Sequence, residues 1–215
     1  MPTIDQEGLR DSLCLVTGGA GFIGSHIVQA LRQCGARVRV LDNFTTGFRH
    51  NLDAVCDDQV EVVEGDASDG DVVTNSMRDV DFVFHQSAMA SVPRSIRQPD
   101  LCHAWCATST VHLLRAAASG KVRRLVLAST SAAYGDSCFV SKRESDPPSP
   151  LSPYAASKLA AEAYCQAFHR SFDLETVVLR YFNVFGPRQD PQSEYSAVIP
   201  RFVSMILSAS RPIIY

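Results

Sequence analysis

The stretch Tyr154-Ala155-Ala156-Ser157-Lys158 holds a phenol and an ammonium four positions apart, and on a helix residues i and i+4 share one face. A phenol with an ordinary pKa of about 10 is a poor base at neutral pH. A fixed positive charge beside it favours the phenolate, and a drop of roughly three units corresponds to about 4 kcal/mol of differential stabilisation. The competing reading is a surface tyrosine with a solvated lysine. The hydroxyl-rich segment ASTSAAYG at 128–135 favours the chemical reading, because Thr130 or Ser131, closing an apolar run, can hydrogen-bond a substrate hydroxyl together with Tyr154.

A second cluster carries no side-chain chemistry at all. LVTGGAGFIGSH, residues 15–26, sets four glycines between an apolar run and the opening of a helix. Gly18, Gly19 and Gly21 let the backbone turn sharply and approach a pyrophosphate with no Cβ in the way, and Gly24 lets the helix lie close on the sheet. The free N–H groups and positive dipole end of that helix then hold the phosphates. Asp42 closes the second apolar run, near the ~20-residue offset at which an acid accepts hydrogen bonds from the adenosine ribose. A carboxylate there repels a 2′-phosphate, so NAD is expected rather than NADP. Asp66, in GDAS after the third run, suits either an adenine contact or an ordinary strand-end cap.

These residues need a scaffold. LCLVTG (13–18), RVRVLD (37–42), VEVVEGD (60–66), DFVFHQ (81–86), RLVLAS (124–129) and ETVVLRYF (175–182) are short Val- and Leu-rich runs that predict strands. Helical patterns cover 22–34, 70–79, 100–119 and 153–171. Strand and helix in alternation require crossover connections, hence a parallel sheet covered on both faces: an α/β, doubly wound fold. DPPSPLSP (146–153) reads as a loop leading into a helix. The pattern changes after Pro187, so residues 1–187 are expected to form the dinucleotide-binding domain with the catalytic residues, and 188–215 to begin a substrate-binding region.

Composition excludes several classes. A chain of 215 residues, 46% apolar and 20% charged, can bury a sizeable core, and a net charge of -3 provides no basic footprint for nucleic acid. The opening MPTIDQEGLRD lacks the apolar core of a signal peptide, and no apolar run reaches the ~18 residues of a membrane helix. A cytoplasmic protein is expected, with its seven cysteines reduced. Cys102, His103 and Cys106 lie close together, but buried helix cysteines explain them better than a metal, and no metal is expected. Asn43-Phe44-Thr45 has the form of a glycosylation sequon, which means nothing without secretion.

TGGAGFIGSH, DNFTTG, the hydroxyls before Tyr134-Gly135, SPYAASK and RYFNVFGPRQDP together resemble the extended short-chain dehydrogenase/reductase family. Within it the sequence is most similar to nucleotide-sugar 4-epimerases that act on UDP-hexoses and UDP-N-acetylhexosamines. The resemblance covers nearly the whole chain. It implies Tyr154 as base, Lys158 as its electrostatic partner and ribose ligand, and Thr130 with Ser131 as hydroxyl relay. It implies NAD contacts from Gly18, Gly21, Phe22, Ile23, Gly24, Asp42, Asn43, Thr45, Thr46, Gly47, Asp66 and Ala67. HQSAMASVPRSI (85–96) is similar to the segment lining the nicotinamide and sugar pockets, which adds Gln86, Ser87 and Ala88, with Tyr181, on the cofactor side. Ser91, Asn183 and Val198 fall on the substrate side. A homodimer through helices 100–119 and 153–171 is implied too, with Leu101, Trp105, Leu113, Leu159 and Phe168 available for a second apolar face.

Two departures sharpen the expectation. Relatives that dehydrate or decarboxylate the sugar carry a glutamate two residues before the tyrosine of the Tyr-Gly pair, where this chain has Ala132. Epimerisation by transient oxidation at C4 is therefore expected, with a dehydratase or decarboxylase as the alternative and an NAD-binding module without turnover as the contrasting class. The chain also stops at RPIIY, before the segment that clamps the nucleotide diphosphate in relatives, so poor UDP-sugar binding by this piece is expected.

Overall fold

The computed structural model describes residues 8–136, 141–190 and 198–211. Six strands, β1 (Leu13–Thr17), β2 (Arg37–Asp42), β3 (Val60–Glu64), β4 (Phe82–His85), β5 (Arg124–Thr130) and β6 (Glu175–Tyr181), form one sheet in the order β3-β2-β1-β4-β5-β6. Every pairing is parallel. The strand order reverses between β1 and β4, and at such a reversal the carboxyl ends of the strands open a crevice.

The helices are α1 (Phe22–Gln33), α2 (Gly70–Ser76), α3 (Val92–Arg97), α4 (Pro99–His103), α5 (Ser109–Ser119), α6 (Pro153–Phe172) and α7 (Val198–Leu207). Side chains alternate across a strand, so β1 feeds two cores. Leu13 and Leu15 join Val73 of α2, Leu113 and Leu114 of α5 and Ala161 of α6 on one face. Cys14 and Val16 join Val28 and Leu31 of α1 on the other. A strand covered on both faces reads as a continuous apolar run, which is why LCLV shows no alternation.

Helix 100–119 is not one regular helix. A π turn at Ala104–Thr108 separates α4 from α5. The hydroxyls of Ser109 and Thr110 donate to the carbonyls of Trp105 (2.7 Å) and Cys106 (2.6 Å) one turn earlier, and such back-bonding competes with the helical ladder. The helix expected at 70–79 stops at Ser76, and β6 stops at Tyr181 rather than Phe182.

The expected second apolar face is largely used within the chain. Leu113 is fully buried in the core, Phe168 packs on that core, and Leu101 and Trp105 pack on the cluster of Met89, Cys102 and Cys106. What α6 leaves exposed is Tyr164 and Phe172. Among the described residues no helix is long and apolar enough to cross a membrane, and no group of three His, Cys, Asp or Glu could hold a metal ion.

Candidate active site

The first wall of the crevice is the turn from β1 into α1. Gly18 adopts φ +67°, and a Cβ there would stand 2.7 Å from the Ser87 nitrogen, so the loop after β4 lies directly on this turn. The helix-packing role expected of Gly24 is different in detail. A Cβ on Gly24 would meet the Gly18 carbonyl oxygen at 2.0 Å, so this glycine seats α1 on its own turn, and Gly19, whose Cβ would lie 2.8 Å from Val40, fits the turn to the sheet. Gly21 is the N-cap of α1, with no side-chain cap and no acid in the first turn formed by Phe22, Ile23 and Gly24. No side chain of its own first turn therefore offsets the positive end of this helix.

Asp42 closes β2 and is buried, its oxygens accepting the N–H groups of Ala20 (2.9 Å) and Phe44 (2.9 Å). Burial raises its pKa above the ordinary carboxylate value, and these two bonds pull it back. Each oxygen keeps a second lone pair for an outside donor. A Cβ on Gly47 would come within 3.0 Å of both oxygens. Thr45 and Thr46 are exposed beside it, with the Thr45 N–H on the Asn43 side-chain oxygen. Asp66 lies past the end of β3 and works as a loop cap. It accepts from the Ser68 N–H and hydroxyl and from the Asn43 amide at 3.0 Å. Burial raises its pKa, but the hydrogen bonds from Ser68, Asn43 and Trp105 outweigh that and hold it below the ordinary value. Ala67 beside it is buried.

The second wall is built from side chains. Ser152 caps α6 by accepting the Ala155 N–H, and Pro153 occupies the first helical turn. Tyr154 follows, half-buried against the Met89, Cys102 and Cys106 cluster, on which Ala88 also packs. One turn on, Lys158 is 1% exposed and its Nζ has no hydrogen-bond partner among the described residues. Burial pushes its pKa down, and Cys106, Cys165, Glu162 and Cys102 act in the opposite direction. Glu162 is already engaged. It accepts the Ser129 hydroxyl and a two-pronged bond from Arg180 (2.7 Å), whose guanidinium sits 4.8 Å above the Tyr134 ring.

Thr130 ends β5, buried, with its oxygen accepting the Ala132 N–H at 3.1 Å. That leaves its hydrogen to donate. Ser131 follows in a short 3-10 turn, half-buried. Thr130 is paired in register with Tyr181 of β6, whose phenol burial pushes up while the adjacent Gln86 side chain lowers it. Ser91 is the N-cap of α3, its hydroxyl oxygen accepting the Arg94 N–H at 3.2 Å. Asn183 stands exposed beyond β6, and the side chain of Val198 lies outside the described residues. An open, mainly apolar groove of about 640 Å³ lies elsewhere, between Phe185–Gln189 and α7, and contains none of the catalytic candidates.

The sequence reading missed His85, Glu162 and Arg180. A histidine closing the apolar run FVFH, and an acid four positions after Lys158 on the same face, were the available signals. An unpartnered buried ammonium beside a phenol fits a polyhydroxyl ligand, and an uncapped helix start beside a buried acid fits a dinucleotide.

Several known proteins are similar to this chain. A putative UDP-glucose 4-epimerase of Methanocaldococcus jannaschii is 37% identical over 94% of this chain and 66% of its own length. The structure of a UDP-N-acetylglucosamine 4-epimerase from Methanobrevibacter ruminantium, in complex with UDP-N-acetylmuramic acid, superposes with a TM-score of 0.91 at 41% identity, covering 96% of this chain and 66% of that one. A dTDP-glucose 4,6-dehydratase from Streptomyces venezuelae with NAD bound superposes at 0.83 and 38% identity, covering 92% and 62%. The chain thus spans less than two thirds of the length of these relatives. Residues 14–215 match the NAD dependent epimerase/dehydratase family, and the chain belongs to that family.

Proposed function

We propose that the crevice holds NAD and that the full-length protein interconverts UDP-sugars by 4-epimerisation. The carrying observation is Lys158, fully buried, without a hydrogen-bond partner among the described residues and one helical turn from Tyr154. In this reading the first turn of α1 with Gly18, Gly21, Phe22, Ile23 and Gly24 receives the diphosphate. Asp42, Asn43, Thr45, Thr46, Gly47, Asp66 and Ala67 surround the adenosine end, and Gln86, Ser87, Ala88 and Tyr181 the nicotinamide end. The bound NAD supplies a reversible hydride acceptor for the sugar C4.

The remaining chemistry belongs to side chains. Lys158 favours the Tyr154 phenolate and donates to ribose hydroxyls; the phenolate oxygen takes the proton of the sugar 4-hydroxyl and later returns it. Thr130, with Ser131 beside it, donates to the same sugar oxygen. In this reading Ser91, Asn183 and Val198 serve the substrate. Ala132 supplies no carboxylate for elimination, which favours epimerisation over dehydration. Residues 1–187 act as the NAD-binding domain and 188–215 as the start of the substrate-binding region. Support for that division comes from the apolar residues of α7 left at the surface, Ile199, Val203, Ile206 and Leu207.

The protein is also read as cytoplasmic, supported by six described cysteines that are all free. It is read as a homodimer through the α4–α5 and α6 helices, supported by Tyr164, 45% exposed on α6. Sedimentation should show a dimer, and a monomer at high concentration removes that element. For the reaction, UDP-N-acetylglucosamine and UDP-glucose are each incubated with full-length protein and followed by NMR. A C4 epimer of unchanged mass is expected. A 4-keto-6-deoxy sugar or a pentose would show a different reaction, and no product despite bound NAD would leave only a binding module.

A further inference from the structure

His85 is fully buried at the end of β4 and sits in a ring of hydroxyls from three elements. Its Nδ1 is 2.7 Å from Thr17 Oγ1 on β1, and its Nε2 is 3.0 Å from Thr110 Oγ1 and 3.4 Å from Ser109 Oγ on α5. The two α5 hydroxyls have already donated their hydrogens, to the carbonyls of Cys106 and Trp105 in the π turn. Toward His85 they can only accept, so Nε2 must carry the ring proton. Nδ1 is then an acceptor, and the Thr17 hydroxyl at 2.7 Å is its donor by distance over the Ser87 hydroxyl at 3.4 Å. The Thr17 oxygen in turn accepts from the Ser87 hydroxyl at 3.0 Å and the Ser87 N–H at 3.3 Å. One direction of donation therefore runs from Ser87 through Thr17, His85 and Thr110 to the Cys106 carbonyl.

We propose that His85, locked as its neutral Nε2–H tautomer, is a positioning residue that sets the spacing between the glycine turn and the wall carrying Tyr154 and Lys158. One end of the chain of bonds fixes Ser87, whose backbone nitrogen lies against Gly18. The other end fixes the π turn, which brings Cys106 to the Tyr154 side of α6. A doubly protonated ring would lose its acceptor at Nδ1. Burial and the charge of Lys158 on α6 both oppose that second proton, and the other groups facing the ring, from β1, the loop after β4 and α5, are neutral hydroxyls. The functional part rests on the NAD reading above, whereas the tautomer does not.

The test uses nitrogen-15 NMR on the full-length protein with and without NAD, assigning His85 by the signal lost in His85→Gln. A protonated Nε2 and an acceptor Nδ1, unchanged from pH 5.5 to 8, are expected. A protonated Nδ1, or a titration in that range, overturns the proposal whatever the protein catalyses. For positioning, Thr17→Val keeps the shape and removes the hydroxyl, and Thr17→Ser restores it. Thr17→Val should weaken NAD binding by about tenfold, with Thr17→Ser within about twofold of the parent. Equal NAD affinity in all three overturns the positioning role, while failure of the parent protein to bind NAD rejects that role together with the cofactor reading and leaves the tautomer to the spectrum.

Discussion

The two walls of the crevice solve the same problem with opposite means. From β1 through β3 the chain offers backbone: a left-handed Gly18, an uncapped helix start and Asp42 held by two N–H groups. From β4 through β6 it offers side chains, with Lys158, His85, Thr130 and Glu162 all buried and tied, except for the Lys158 Nζ, into local networks. A backbone wall costs little to bury, because its groups bond within turns and helices. A wall of ionisable side chains carries a desolvation penalty. Binding and chemistry should therefore separate by mutation, Asp42 and the glycine turn governing affinity and Tyr154 turnover.

The sharpest break is Tyr154→Phe in the full-length protein. Turnover should fall by at least the ~10²-fold typical of a positioned acid–base group, with NAD content unchanged; loss of NAD as well would show that the walls are not separable. Next comes Gly24→Ala, whose new Cβ would collide with the Gly18 carbonyl oxygen. It should lower stability by about 1–3 kcal/mol, in the range of overpacked cores, and weaken NAD binding, both read by thermal unfolding with and without NAD. Asp42→Asn should weaken NAD binding by about 1–3 kcal/mol, the cost of a lost hydrogen bond to a charged group, while turnover at saturating NAD stays near the parent value. If titration shows NADP binding as tightly as NAD, the adenosine role of Asp42 is wrong.

The smallest effect is on the cofactor-free protein. Burial lowers the Lys158 pKa from the usual 10.5. Between the lowered value and 10.5 the unfolded chain holds a proton that the folded chain has released, so stability rises with pH in that window. Lys158→Met removes the buried charge, so it should raise stability without NAD at neutral pH while slowing turnover and moving its optimum to higher pH. Its stability advantage should shrink as pH climbs toward 10.5, which unfolding at several pH values will show. A variant less stable than the parent at neutral pH would mean that the thiols and Glu162 around Lys158 outweigh its desolvation.

Sequence by itself determined whatever depends on local rules. The apolar runs and helical periods set the doubly wound sheet, the glycine spacing marked the turn, and the i, i+4 spacing put Tyr154 and Lys158 on one face. These survive because strand alternation, helix pitch and the left-handed freedom of glycine are properties of a few neighbouring residues. Tertiary structure alone decided the rest. That Leu113 belongs to the core rather than to a second apolar face, and that Asp66 accepts the Asn43 amide, depend on which distant part of the chain arrives there. The π turn depends on whether Ser109 and Thr110 aim their hydroxyls at the preceding carbonyls, and His85 gains its proton arrangement from residues 68 positions before it and 25 after. Hydrogen-bond direction is a property of a closed set of partners, and only folding closes the set.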